Sequence, residues 1–434
     1  MVETFYKTMH HFSPQFLNWL GAVKDPRVKK KIKYPFQNLA YVGILLFLLK
    51  LGSRRQVKYR FSTPEFVKNL NILSETEMER VADPGTLENL LKQVNPEDMG
   101  RVRTKIVNNL IRKKVLAKFR LFGQYYMIAI DGTGHLVFKE RHCCHCLTKK
   151  KKGKVLYYYH PVLDAKLLTE NGLSLSIATE FIENTDGMKK QDCEINACKR
   201  LVKKLKKAFP QLKICLLLDS LYAGKPVLDM CKEYGWKYFI TFKEGSMKAV
   251  YREYLCLKNS LCKEDTVHYK DGKITQDYNW VTDIDYEGHK LNILELDETK
   301  PGKKKKLTTT RFVWMTNFVP DKRNHVPLAK GGRTRWKIEN EGYNMQKNGG
   351  YKLEHAYSRD ETAMKNYYFL LQIAHIINQL MEKGSLIADQ IKKVFGSIRN
   401  VARQLLEDLR TRLLDKGELT AMLSQSFQIR LDSS

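Results

Sequence analysis

Two aspartates stand where short apolar runs end: Asp131 follows Tyr125 to Ile130 and opens Asp131-Gly132-Thr133, and Asp219 follows Ile214 to Leu218. Runs of this length and composition read as buried strands, each delivering an acid at its carboxyl end. A right-handed crossover would make the two strands neighbours, and the acids would meet at the sheet end where ligand sites gather. With a third acid from a following helix, such a pair forms an oxygen cage for Mg²⁺ or Mn²⁺. Two ions held in this way stabilise the attacking and leaving oxygens of an in-line phosphodiester displacement. The competing role for a lone aspartate after a strand is a turn residue or helix cap.

Charge indicates which phosphodiester. Across 434 residues, 76 lysines and arginines face 47 acids, a net charge of +29 that points to a polyanionic partner, nucleic acid first. Lys149, Lys150, Lys151, Lys152 and Lys154 form a basic loop just beyond the first acid, suited to tracking a phosphate backbone. Two further groups, Lys29 to Lys33 and Arg54 to Arg60, flank the apolar run Leu39 to Leu49. That run falls short of the ~20 residues that cross a bilayer, so no membrane partner is expected. A hydrophobic content of 43% and an aromatic content of 11% exclude a disordered basic tail. The first thirty residues carry Glu3 and Asp25 and no apolar stretch, so no secretory signal is expected, and the nine cysteines read as reduced thiols of a cytosolic protein. Cys143 and Cys146 have zinc-knuckle spacing, with His142 and His145 beside them. Four ligands would have to crowd into five residues, however, so a reduced loop packing on DNA or protein is favoured over structural metal.

The elements that must position the acids follow from periodicity. Residues 1–118 read as helical, a small DNA-binding bundle, with a helix start at Asn95-Pro96-Glu97-Asp98. Val155 to Leu163 and Leu173 to Phe181 read as strands, Lys190 to Phe209 and Ala223 to Tyr234 as helices, and Trp236 to Thr241 as a fifth strand. The order is β-β-β-α-β-α-β, an α/β class with a mixed five-stranded sheet. A β-rich insertion carries Asn279 to Ile284, Leu291 to Leu296 and Thr309 to Thr316, split by Asp271-Gly272, Glu287-Gly288 and Lys303 to Lys306. Helix returns from Gly331, and an apolar helix from Ala363 to Met381 reads as core. The expected divisions are 1–118, 119–250 (first part of the core), 251–320 (insertion), 321–360 (second part of the core) and 361–434 (C-terminal helices).

Asp131-Gly132-Thr133, Asp219 and Arg335-Trp336-Lys337-Ile338-Glu339 together resemble the DDE transposases of bacterial insertion sequences, in the group marked by the YREK signature (Tyr-x2-Arg-x3-Glu-x6-Lys). The resemblance implies an RNase H-like catalytic core with a β-rich insertion and a cut-and-paste mechanism. It also implies Asp131, Asp219 and Glu339 as catalytic, metal-binding acids for two Mg²⁺ or Mn²⁺ ions. Arg335 and Glu339 keep the signature spacing, whereas the tyrosine position is Gly332 and the lysine position is Gln346, with Lys347 one residue later. On a regular helix Gln346 would lie within about 20° of Glu339 and Lys347 about 80° away. Arg335, Gln346 and Lys347 are the expected DNA contacts of this helix, and Glu341, two residues from Glu339, would point away. By the same resemblance, Trp314 or Trp280 of the insertion would stack on an unpaired base. Their alternative role is that of ordinary sheet aromatics.

The implied protein is an insertion-sequence transposase. It would act on double-stranded DNA, both terminal inverted repeats and target, as a homodimer in the bacterial cytoplasm and associated with the nucleoid. A metal-dependent nuclease without strand transfer uses the same acids and stays open. So does a non-catalytic DNA-binding descendant, although that would require a broken acid and all three are present.

Overall fold

The computed structural model describes residues 1–184, 190–270, 272–302 and 306–431. Among these, ten strands form one sheet: β1 Tyr126–Phe138, β2 Leu147–Lys151, β3 Lys154–Leu168, β4 Ser174–Phe181, β5 Ile214–Leu218, β6 Lys237–Thr241, β7 Lys263–Tyr269, β8 Ile274–Tyr286, β9 His289–Pro301 and β10 Leu307–Thr316. The spatial order is β2-β3-β1-β5-β6-β10-β9-β8-β7, with β4 also pairing β3. β3 runs antiparallel to β1 and β4, whereas β1, β5 and β6 are parallel. Helices Glu194–Ala208 and Lys225–Tyr234 make the crossovers into β5 and β6.

Three expectations about the sheet change. β1 does not end at Asp131 but runs on to Phe138, because β3 pairs with it along that whole length while β5 covers only Tyr126 to Ala129. Asp131 therefore lies within a strand, yet just beyond the end of the parallel ladder. The basic segment is a β2–β3 hairpin and not a loop. Lys152 and Gly153 take positive φ of 48° and 79°, the two-residue turn whose twist suits a hairpin. The insertion begins with a helix, Lys248–Leu261, and joins the core sheet directly through β10, where Trp314, Met315 and Thr316 pair with Thr241, Ile240 and Phe239 of β6. Asp271 and Lys303 to Lys305, part of the expected breaks, lie outside the described residues.

Of the helices before β1, Pro96–Arg112 packs on β4, where the Thr104 hydroxyl donates to the Ile177 carbonyl. Asn95 caps helix Pro96–Arg112, its side chain accepting from Glu97 N at 3.0 Å, and Val102, Ile106, Val107 and Leu110 are buried as the periodicity predicts. Helix Phe36–Leu48 holds the apolar run and is buried nearly all round against helix Glu361–Lys383, so close that a Cβ on Gly43 would come within 2.7 Å of Leu370. Glu361–Lys383 is itself core, as expected. Among the flanking cations Lys29, Lys30, Lys31 and Lys33 are exposed, while Arg54 and Arg60 pair with Glu88 and Glu407. All nine cysteines are free thiols, and no described helix is long and apolar enough to cross a membrane.

Candidate active site

Register brings the two aspartates level. β1 and β5 pair as Met127 with Cys215, Ile128 with Leu216 and Ala129 with Leu217. Carried two residues past the last pair, the same offset sets Asp131 level with Asp219, whose charge adds to the pKa shift of Asp131, and side chains level across adjacent parallel strands share a face. Each aspartate gives one oxygen to the backbone: Asp131 Oδ1 accepts from Gly132 N at 2.9 Å, and Asp219 Oδ1 accepts from Leu221 N at 2.8 Å, capping the 3₁₀ turn Ser220–Tyr222. The capping role and a ligand role thus use different oxygens of Asp219.

The third acid arrives on the helical stretch that starts at His325. After the 3₁₀ turn Thr334–Trp336, residues Ile338–Asn344 form a π-helical segment, a form that bonds i to i+5 and so holds one residue more than an α turn. This segment is pinned to β1 and to the turn after β3: the Tyr343 hydroxyl donates to the Asp131 carbonyl at 2.6 Å, and Lys337 Nζ donates to the Glu170 carbonyl at 2.9 Å. Arg335 then bridges the acids, with Nη2 at 2.9 Å from Glu339 Oε1 and Nη1 at 3.9 Å from Asp131 Oδ2. Burial raises the pKa of Asp131 from 3.8 to about 7; Arg335 opposes the shift, Glu339 and Asp219 add to it, and the Gly132 N–H counteracts them in part. Glu341 points elsewhere, toward Gly172 and Glu382.

A fourth carboxylate was not found by reading the sequence. Gly132 faces away from Asp131 across the strand, and a Cβ there would collide with the carboxylate of Glu194, in the first turn of helix Glu194–Ala208. Burial, and secondarily Asp219, raise the pKa of Glu194. Its only signal in the sequence is an acid opening the helix that follows the third core strand.

These acids fit a divalent cation. They are hard oxygen donors, and burial, with Glu339 and Asp219 adding to it, raises the pKa of Asp131, a cost that a bound cation would relieve. Asp131, Asp219 and Glu339 do not form a group whose ligand atoms all lie within 4.8 Å of one another; such groups among the described residues consist of His and Cys, with one Glu. The acids are gathered, with Arg335 between two of them.

The expected DNA contacts fare unevenly. Lys150, Lys151 and Lys152 are exposed at the hairpin tip. Lys347 is partly exposed and pairs with Glu354 at 2.8 Å. Gln346 is fully buried, donating to Gln372 at 2.8 Å and meeting His375 at 2.9 Å, so it does not share the outward face of Glu339. The π segment is the reason, since its extra residue turns position 346 inward. Trp314 is 4% exposed, stacked on Phe312 under helix His325–Arg333, and Trp280 is 1% exposed and stacked on His325. Neither indole is available to a base; both are sheet aromatics. The exposed tryptophan is Trp336, 55% accessible, on a cleft shared with Tyr269, Lys270, Arg333 and Lys337.

Neither a protein-family model nor a curated protein matches the chain. Among solved structures it is similar to the cryo-EM structure of the piggyBac transposase synaptic complex with hairpin DNA, at 12% identity and a TM-score of 0.39, over 96% of this chain and 84% of that one. At that level the likeness carries no argument about activity.

Proposed function

We propose that this chain is a metal-dependent DNA transposase of the DDE type, built on an RNase H-like core. The observation that carries the reading is the β1–β5 register, which sets Asp131 level with Asp219 just past the last paired residues, with Glu339 joined to Asp131 through Arg335. The strand order β4-β3-β1-β5-β6, antiparallel on one side of β1 and parallel on the other, supports the RNase H-like assignment. Asp131, Asp219 and Glu339 would hold two Mg²⁺ or Mn²⁺ ions, which would polarise the phosphodiester and its attacking oxygen.

The chain's own groups do the rest. Arg335, released from its carboxylates, is a phosphate clamp, and the exposed Lys149 to Lys152 track the backbone. In cleavage water attacks phosphorus and the P–O3′ bond breaks, leaving a 3′-OH. In joining, that 3′-OH forms a new P–O bond as a target P–O3′ bond breaks, so one phosphodiester replaces another and no external energy is required. Terminal inverted repeats and target duplex are the partners in this reading, with a homodimer pairing the two ends in the bacterial cytoplasm.

The test is a cleavage and strand-transfer assay on labelled DNA flanking the gene, with Mg²⁺ or Mn²⁺. Asp131→Ala, Asp219→Ala and Glu339→Gln should abolish both products and keep DNA binding, while Glu341→Gln keeps activity. Cleavage that persists in Asp219→Ala, or activity lost in Glu341→Gln and kept in Glu339→Gln, refutes the assignment. Cleavage without joined product from the unaltered chain favours the nuclease.

A further inference from the structure

The segment after β1 carries a second cluster of ligating side chains, and it contains no carboxylate. Cys143 and Cys146 lie in the connection between β1 and β2, with His142 beside them. The fourth member, His160, comes from β3, where it pairs with Leu136 just past a bulge in β1. Its distance in sequence hides it from any reading of local spacing, and it removes the objection that four ligands must crowd into five residues.

The donor atoms converge. Cys143 Sγ and Cys146 Sγ are 3.2 Å apart, His160 Nε2 is 3.4 Å from the first and 3.2 Å from the second, and His142 Nδ1 is 3.1 Å from Cys146 Sγ. All four ligand atoms lie within 4.8 Å of one another. Zn–S bonds of about 2.3 Å and Zn–N bonds of about 2.0 Å in a tetrahedron would set the donors about 3.3 to 3.8 Å apart, so the cluster needs only a few tenths of an ångström of expansion to accept the ion. Cys146 and His160 are buried, and His142 is held by its ring against Phe138, centroids 4.0 Å apart. Two thiols and two imidazoles are a soft, borderline donor set that selects zinc over the hard cations suited to the acids. Four protein ligands leave no open position, which marks a structural site.

We propose that His142, Cys143, Cys146 and His160 form a structural zinc site at the root of the β2–β3 hairpin. The ion would tie the connection after β1 to β3, fixing the direction in which the exposed Lys149 to Lys152 leave the sheet. The neighbouring residues Cys144, His145 and Glu361 form a separate, more exposed group, in which His145 Nδ1 sits 2.7 Å from the Asn184 carbonyl oxygen and Nε2 3.3 Å from Glu361. That group supplies a control. The zinc site stands independently of any role for Asp131, Asp219 and Glu339.

The test is elemental analysis of the full chain purified without chelator, followed by exchange with Co²⁺ alone as a spectroscopic probe. One zinc per chain is expected, and the Co²⁺ form should show the intense visible absorption of a tetrahedral site with thiolate ligands. Cys146→Ser and His160→Ala should each lose the metal and make the β2–β3 hairpin a preferred site of limited proteolysis, whereas Cys144→Ser keeps both the metal and protection. Should the ligand variants fail to fold, zinc content and the Co²⁺ spectrum of the unaltered chain still decide. Folded protein with far less than one zinc and no such Co²⁺ band overturns the proposal. So does a Cys143–Cys146 disulfide as the main form of freshly purified protein, or zinc lost with Cys144→Ser and kept with His160→Ala.

Discussion

Replacing Asp131 with Asn should stabilise the protein, and the pH dependence of the effect tests the electrostatics of the site. The carboxyl titrates at about 7 in the fold against 3.8 in an unperturbed chain, chiefly because of burial. Below 3.8 the group is protonated in both states and costs nothing. Between 3.8 and about 7 the unfolded chain gives up its proton while the fold retains it, so stability falls as pH rises, and the loss is complete above about 7. That displacement corresponds to about 4 kcal/mol. Asn keeps the shape and carries no charge, so Asp131→Asn should gain up to about 4 kcal/mol at pH 8, about 4 °C in Tm for a chain of this size, and nothing below pH 4. Mg²⁺ or Mn²⁺ should shrink that advantage at pH 8. A ligand at a hundred times its Kd adds about 2.7 kcal/mol to the form that binds it, and the variant has lost a ligand. Thermal melts between pH 4 and pH 8, in chelator and then in Mg²⁺ or Mn²⁺, measure both effects. An Asp131→Asn protein that is less stable than the parent in chelator at pH 8, or whose advantage does not change with pH, would show that the carboxylate is not under the strain assigned to it.

Three further outcomes follow from the same geometry. Changing Lys150, Lys151 and Lys152 to Ala should weaken duplex DNA binding and make its log–log salt dependence shallower by about 0.9 for each phosphate that is no longer neutralised; an unchanged slope in a salt titration would remove the hairpin from the interface. Gly332→Tyr, which puts a tyrosine where the YREK signature has one, should destabilise the fold by about 1–3 kcal/mol or more, since its Cβ would sit 2.7 Å from Trp314 Cε2; a urea titration in which Trp314→Ala fails to recover part of that loss would separate the two sites. Trp336→Ala should leave the melting temperature unchanged and cost about 1–3 kcal/mol in single-stranded DNA binding if a base stacks on the exposed indole, and equal affinities by fluorescence anisotropy would rule that stacking out.

What could be read from the residues alone was whatever depends on neighbours in sequence. Ile214 to Leu218 is apolar throughout because β5 is buried on both faces, so both strand and flanking acid were visible. The cap at Asn95 and the stripe behind it were equally local. The extension of β1 beyond Asp131 was not, because nothing local marks Gly132 and Thr133 as strand until β3 is there to pair with them. His160 and Glu194 stayed hidden for the same reason: an isolated His in a Tyr-rich strand and an acid opening a helix acquire meaning only when the sheet carries them to Cys146 and to Gly132. Nor do Trp280 and Trp314 differ in sequence from a stacking residue; they are core because His325 and the backbone at Gly332 cover them.

The two departures from the signature each have a cause in packing. Where the tyrosine is expected, the helix passes so near the indole of Trp314 that no side chain fits, and Gly332 is the residue that allows the approach. Gly332 thus accounts at once for the absent tyrosine and for the burial of the tryptophan. Where the lysine is expected, the π segment Ile338–Asn344 adds one residue to the turn, so a spacing counted on a regular helix lands one position early. Gln346 accordingly faces the buried Gln372 and His375, and Lys347, one residue later, is partly exposed and pairs with Glu354. The segment that causes this shift also carries Glu339 beside Arg335 and presses the Tyr343 hydroxyl onto the Asp131 carbonyl. Such segments, which lack the regular i to i+4 bonds, persist where tertiary contacts hold them, and here those contacts are made to the strand that carries the first acid. Straightening this helix to a regular register would turn Glu339 relative to Asp131, so the irregularity and the gathering of the acids are one structural choice.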